Sequence, residues 1–344
     1  MDSWLIYRGE GEPDPDRIAR LPEAPPWRRF GGDALDVPVP PVDASTTRRL
    51  GQRAPLPIQD DEALQLINAA LYLRRPLLVT GEPGSGKSTL AHAVSHELDL
   101  GRVLQWPIVS RSELREGLYA YDAIGRLHDA QLHREARDVP DRSDAPGTDG
   151  IGRYIRLGPL GTALLPTERP RVLLIDELDK SDIDLPNDLL NALEEGSFRI
   201  PELERIADRP ECGTVYVLDD DGRSVPVKGG RVTCHAFPFV VMTSNGERDF
   251  PAPLLRRCIH LRLKPPRNER LAALVQAHFG EGADEAHADL LRGFAESDHD
   301  GELRLTDQLL NAIFLTQQAA RDGNAQRDDI ARLLMRPIDP RSHG

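Results

Sequence analysis

Gly81-Glu82-Pro83-Gly84-Ser85-Gly86-Lys87-Ser88 has the spacing G-x-x-x-x-G-K-[ST] of a loop that cradles phosphate. The glycines let the backbone curl until several N–H groups point at one centre, and the helix behind them adds the positive end of its dipole. Lys87 then carries a compact charge to the β- and γ-phosphate oxygens, while the Ser88 hydroxyl completes a magnesium shell. The surroundings agree with this chemistry. Arg75-Pro76 leads into the apolar run Leu77-Leu78-Val79, which reads as a buried parallel strand, and residues 88–98 read as a helix that Gly101 stops. Strand, glycine loop and helix follow in the order the chemistry needs, so the expected ligand is a nucleotide with Mg2+. Its candidate contacts are Gly81, Glu82, Pro83, Gly84, Ser85, Gly86, Lys87, Ser88 and Thr89.

Toward the C-terminus, Arg171-Val172-Leu173-Leu174-Ile175-Asp176-Glu177 reads as a strand covered on both faces that ends in two carboxylates. The carboxyl ends of such strands are where α/β sheets bind ligands. There Asp176 would orient magnesium and Glu177 would polarise an attacking water. An ordinary strand before an acidic helix start has the same local pattern, and the functional meaning comes from its combination with the phosphate loop. Another buried run, Phe239-Val240-Val241-Met242-Thr243, ends at Ser244-Asn245-Gly246. Asn-Gly is turn chemistry in any protein, but at the end of a third core-type strand Asn245 is placed to touch the γ-phosphate or its water. Pro251-Ala252-Pro253-Leu254-Leu255-Arg256-Arg257-Cys258 introduces a last strand over residues 259–263. Its arginine pair is either a surface ion-pairing group, usually worth little, or a source of transition-state charge for a neighbouring subunit's phosphate. After Pro265-Pro266 the pattern is wholly helical, over residues 269–279, 286–294, 306–320 and 327–335, which marks a small helical domain.

Toward the N-terminus, prolines at 13, 15, 22, 25, 26, 38, 40, 41 and 55 describe an extended arm. Trp4, Tyr7 and Trp27 either pin it to the core or form a docking tag. From Asp60, a plausible N-cap, Leu64, Ile67 and Leu71 recur at helical spacing, and this helix is expected near the nucleotide base. Residues 103–108 read as a second strand. Residues 111–165 are polar and partly helical, and 138–152 are rich in Asp, Pro and Gly, as in a mobile loop. Residues 214–218 and 224–227 pair naturally as a hairpin across Asp221-Gly222. His92 and His96 stand four apart on a helix, as in H-E-x-x-H zinc sites, but residue 93 is alanine and no third ligand is near in sequence, so no metal role is expected there.

The chain has 344 residues, enough for a sizeable core, with 29% charged and 39% hydrophobic residues. A formal net charge of −13 argues against non-specific attraction to nucleic acid or anionic membrane, although a local basic pore stays compatible with it. Cys212, Cys234 and Cys258 form no C-x-x-C pair, which fits a reducing compartment. The start of the chain lacks the pattern of a signal peptide, and no apolar run approaches a membrane span, so a cytoplasmic location is expected.

Together these pieces resemble the AAA+ ATPases, and more closely their MoxR branch. Residues 81–88 match the Walker A motif, Leu173 to Glu177 the Walker B motif, Asn245 the sensor 1 position and Arg257 the arginine finger. Further likenesses are Gly158-Pro159-Leu160, the run Asp176-Glu177-Leu178-Asp179-Lys180, and Leu254-Leu255-Arg256-Arg257 before the final strand; the resemblance covers about residues 56–320. It implies an α/β fold: a five-stranded parallel sheet flanked by helices, with the phosphate-loop strand central, and a C-terminal helical lid. It further implies a ring, a homo-hexamer, with sites between subunits. The implied division is a proline-rich arm over 1–55, an AAA+ core over 56–265 and a lid over 266–344. The core would carry a helix-2 insertion at about 111–165 and a hairpin at about 214–227, both projecting toward the ring's centre or a client. One position departs from the pattern. The lid arginine should lie close to Asp307, which is acidic, and Arg304 is the nearest substitute.

The expected activity is Mg-ATP hydrolysis by a ring that remodels or matures a protein partner, in the family often one with a von Willebrand factor A domain. Lys87, Mg2+ and Arg257 would offset phosphoryl charge while Glu177 and Asn245 orient water. A nucleic-acid-stimulated motor of a restriction or defence system, an ATP-dependent assembly switch and a small-molecule kinase are the competing readings. The acidic balance weighs against the first and Glu177 against the second. The Asp176-Glu177 pair and a trans-acting arginine weigh against the third.

Overall fold

Alternation along three apolar strands builds two cores at once. In Leu77–Thr80, Val172–Asp176 and Phe239–Ser244, Leu77, Val79, Val172, Leu174, Phe239 and Val241 enter one cluster, while Leu78, Leu173, Ile175, Val240 and Met242 enter another. A period of two with both sides apolar means a sheet covered on both faces. The computed structural model describes residues 4–35, 39–51, 60–135, 150–209, 213–264, 269–297, 306–321 and 334.

In chain order the N-terminal half comprises α1 (Ala44–Leu50), α2 (Asp61–Leu73), β1 (Leu77–Thr80), α3 (Lys87–Glu97), β2 (Leu104–Pro107), α4 (Leu114–Leu118), β3 (Tyr119–Tyr121) and α5 (Ala123–Glu135). Then come β4 (Ile155–Leu157), α6 (Pro159–Ala163), β5 (Val172–Asp176), α7 (Leu185–Glu195), β6 (Ser197–Arg199), α8 (Pro201–Glu204), β7 (Thr214–Leu218), β8 (Ser224–Lys228) and β9 (Arg231–Thr233). The chain continues with β10 (Phe239–Ser244), α9 (Ala252–Arg257), β11 (Ile259–Arg262), α10 (Glu269–Phe279), α11 (Ala283–Ala286), α12 (Ala288–Ser297) and α13 (Thr306–Arg321).

The core sheet has five strands in the order β11-β1-β10-β5-β2, all parallel as expected, but the expected central place of the phosphate-loop strand is corrected: β10 is central and β1 lies between it and the edge strand β11. The fold is therefore α/β, a five-stranded parallel sheet flanked by helices and followed by C-terminal helices. Leu271, Val275, Phe294, Leu309 and Ile313 give those last helices a core of their own. Among the described residues, no helix is long and apolar enough to cross a membrane.

A second, six-stranded sheet, β3-β4-β7-β8-β9-β6, is built from the region after β2 and the hairpin before β10. Its inward residues, among them Ile155, Val217, Val225, Val227 and Val232, join the cluster on one face of the core sheet. The expected hairpin forms, with Leu218 opposite Ser224 and Thr214 opposite Lys228 around the loop 219–223. That loop does not project freely. Asp221 takes Arg102 at 2.6 Å, Arg171 at 3.0 Å and Arg223 at 2.7 Å, tying the hairpin's turn to the start of β5. Burial raises the Asp221 pKa, but the three guanidiniums outweigh it and hold the carboxyl below its ordinary range.

The N-terminal arm is fastened by polar groups as much as by aromatic ones. Tyr7 is buried and Trp4 meets Tyr72 edge-on at 5.4 Å, but Trp27 is 74% exposed. Buried Asn68 accepts from the N–H groups of Ile6 and Tyr7 and donates to the carbonyls of Tyr7 and Leu64. Within the arm lies α1, which the sequence reading missed; Asp43 caps it by accepting from Thr46 N at 3.1 Å.

Candidate functional site

The carboxyl ends of β1, β5 and β10 meet at one place because the parallel register puts Thr80 opposite Ser244 and aligns Asp176 beyond β10's Met242. There the glycine loop opens a cavity of about 530 Å3. The loop needs its glycines for two different reasons. A Cβ on Gly81 would stand 2.4 Å from the Leu263 carbonyl oxygen, so the loop can pass β11 only there without a side chain. Gly86 has φ +88°, a left-handed conformation that favours glycine, and a Cβ on it would meet nothing within 4 Å.

Pro83, Gly84, Ser85, Gly86, Lys87, Ser88 and Thr89 line this cavity, as do Asp176, Glu177 and Asn245. The Ser85 hydroxyl is buried with no hydrogen-bond partner among the described residues, an orphaned polar atom on the wall of a cavity that suits an oxygen-rich ligand. Lys87 is 8% exposed, and its Nζ donates to the carbonyls of Gly81 at 2.8 Å and Glu82 at 2.9 Å. Burial pulls its pKa below the usual lysine value, against the pull of Asp179, Asp176, Glu177 and Glu82. A lysine in that position is ready to exchange carbonyls for phosphate oxygens.

Asp176 Oδ1 accepts two short hydroxyl bonds, from Ser88 Oγ at 2.6 Å and from Thr243 Oγ1 at 2.6 Å. Thr243 also accepts from Glu177 N at 2.8 Å. A carboxylate and a serine hydroxyl side by side at the end of a phosphate loop form the hard oxygen donor set that Mg2+ takes, so these residues fit that ion. Glu177 adopts φ +60°, a left-handed conformation that costs a non-glycine residue about 1 kcal/mol or more. Its carboxylate pairs with Lys180 Nζ at 2.7 Å, both side chains being 42% exposed. The Asn245 N–H donates to Asp179 Oδ2 at 2.9 Å.

Two candidates lie elsewhere. Arg257, exposed at the end of α9, donates to the Pro253 carbonyl at 3.3 Å and approaches Glu194 at 3.8 Å; it does not line the cavity of its own chain. Arg304 lies outside the described residues. The expectation for α2 is corrected: no α2 residue lines the cavity, because the helix packs against β11 and the arm. Its place is taken by α1, whose Arg48, Arg49 and Leu50 line the cavity.

In the C-terminal region, sequence reasoning singled out Asp307 and Arg304 but missed Arg270 and His278. Arg270, His278 and Asp307 line the cavity, so the acidic residue singled out in the C-terminal helices lies at the site, and among the described residues Arg270 is an arginine of those helices that lines it too. Burial lowers the His278 pKa and Asp307 opposes the shift. With Lys87, Arg48, Arg49 and Arg270 on its walls, the cavity is cationic in places within a chain of net charge −13. Thr243 had a legible signal, a hydroxyl closing an otherwise apolar strand; the arginines of α1 had none beyond the cap at Asp43.

A parallel five-stranded sheet, a glycine loop opening into a helix and two carboxylates at the end of β5, one strand removed from β1 across β10, define a phosphate-loop nucleotide-binding domain. The model of the AAA domain, dynein-related subfamily, matches residues 76–258, more than half of the chain, and the chain belongs to that family. No curated protein is matched by the chain.

Proposed function

We propose that this protein is a Mg-ATP hydrolysing AAA+ ATPase of MoxR type, working as a homo-oligomeric ring that remodels or matures a protein partner. The observation that carries the reading is the strand-end constellation across the cavity from the glycine loop: Asp176 bonded to Ser88 and Thr243, with Glu177 and Asn245 beside it. In this reading the loop amides hold the phosphates, and Lys87 leaves its carbonyls to neutralise their charge. Ser88 and Asp176 would hold Mg2+, which would supply charge neutralisation at the phosphate oxygens. Glu177 polarises the water that attacks the γ-phosphorus as the bond to the β–γ bridging oxygen breaks, and Asn245 orients that water. Arg257 of a neighbouring subunit completes the site, a role supported by its exposure and its absence from the lining of its own cavity. Two free, buried cysteines, Cys234 and Cys258, with thiols that burial pushes up to about 12, are inert and suit a reducing cytoplasm.

The partner class is tested with Glu177→Gln held in ATP and used as bait. The expected catch is a protein, such as one with a von Willebrand factor A domain, that is retained with ATP and released with ADP. Nucleotide-dependent retention of DNA or RNA instead would contradict the protein-remodelling reading and favour a nucleic-acid motor.

A further inference from the structure

One buried acid beside the cavity has no part in the chemistry above. Asp179 lies two residues past Glu177, in the single 3-10 turn Leu178–Lys180, and is 3% exposed. Its Oδ2 accepts two backbone hydrogen bonds from the loop after β10, from Asn245 N at 2.9 Å and from Glu247 N at 3.1 Å. Its Oδ1 is buried without a hydrogen-bond partner among the described residues. The carboxylate is also near enough to Lys87 to be the foremost charge opposing the effect of burial on that lysine.

Taking a carboxylate out of water is costly, and a half-satisfied one more so. The turn itself does not require it, because Asn245-Gly246 is a turn-forming pair and Gly246 N already donates to Ser244 Oγ at 2.9 Å. What Asp179 adds is a fixed link between two elements: the segment after β5, which carries Glu177, and the loop after β10, which carries Asn245. Thr243 makes a similar link two residues earlier, donating to Asp176 Oδ1 and accepting from Glu177 N. The two links form successive rungs between strand ends that no backbone pairing joins beyond Met242 and Ile175.

We propose that Asp179 is a positioning residue for hydrolysis, holding Asn245 in register with Glu177 so that both side chains address one point of the cavity. The proposal rests on the hydrolytic reading above. A water held by two groups on separate loops is sensitive to their mutual placement, and a displacement of about 1 Å costs on the order of 100-fold in rate.

The test compares Asp179→Ala with Asp179→Asn, whose amide oxygen can accept the same two N–H groups. For D179A the expected result is a kcat lowered by about 10- to 100-fold with KM for ATP changed less than about threefold. Amide hydrogen exchange at Asn245 and Glu247 is accelerated in the same variant. D179N restores slow exchange at both amides and most of kcat. Should D179A fail to fold, Asp179→Ser, too short to reach both amides, takes its place. The proposal is overturned if kcat survives while the two amides exchange freely, if D179N is as impaired as D179A, or if the loss follows ATP affinity and stability without a kcat effect. Absence of ATP turnover in the unmodified protein would contradict the hydrolytic reading itself; turnover indifferent to D179A contradicts only the part assigned to Asp179.

Discussion

His92 is a fully buried imidazole on the phosphate-loop helix, with Nδ1 2.9 Å from Thr46 Oγ1 of α1. Burial, aided by Arg49, lowers its pKa from 6.5 to about 4, while Asp43 and Asp176 oppose the shift. The folded protein thus keeps this ring neutral where the unfolded chain takes up a proton. Stability is full above pH 6.5, falls as the pH drops toward 4 and then levels, a loss of roughly 3 kcal/mol from this group. Urea midpoints measured across that window should fall in the native protein and fall less in His92→Asn; equal slopes would remove His92 as the cause. The consequence reaches the nucleotide site, because His92 helps seat α1, which brings Arg48 and Arg49 to the cavity. None of this was legible in sequence. His92 stood out only as half of a zinc-like pair, because a histidine's neighbours across α1 and α3 are set by packing and not by spacing. The placement of Lys87, Ser88, Asp176 and Glu177 at one cavity was legible because it follows from local backbone geometry at strand and helix ends.

Among the elements, the arm shows best where sequence reading stops. Prolines and scattered aromatics describe extended chain, yet they say nothing of what holds it. The fastening point is Glu97, the last residue of α3 and fully buried, which accepts from Arg8 N at 2.7 Å, Gly11 N at 3.0 Å and Arg17 Nη1 at 2.9 Å. Each partner is at least 80 positions away in sequence, so no local pattern could announce it. Glu97→Ala leaves buried Arg17 with only Glu10 and Asp14, and two amides unpaired. A destabilisation of about 3 kcal/mol is expected from denaturant unfolding, with faster proteolysis within residues 4–20; a cost below about 1 kcal/mol would show that the arm is held by its aromatics instead. The strands tell the opposite story. Continuous apolar runs announced β1, β5 and β10, whereas the six-stranded sheet joins short strands across long separations, and only its β7–β8 hairpin was visible beforehand.

For the whole molecule, the cavity draws on the arm, the core sheet and the C-terminal helices of one chain, but not on Arg257. If sites are shared in a ring, Arg257→Ala and Lys87→Ala are each inactive alone, and mixing them regenerates some sites with an intact loop beside an intact arginine. Partial recovery of ATP turnover on mixing is expected; no recovery in mixed assemblies of proven size would refute the trans role of Arg257.

The claim on which the rest depends is that this cavity hydrolyses ATP with Glu177 polarising the water. It is tested most directly by measuring phosphate release and nucleotide affinity together, in the unmodified protein and in Glu177→Gln, with Mg2+ present. The account predicts ATP binding of similar affinity in both and turnover reduced by about 100-fold or more in the variant. Equal turnover in the two proteins, or none in either with binding intact, would contradict it.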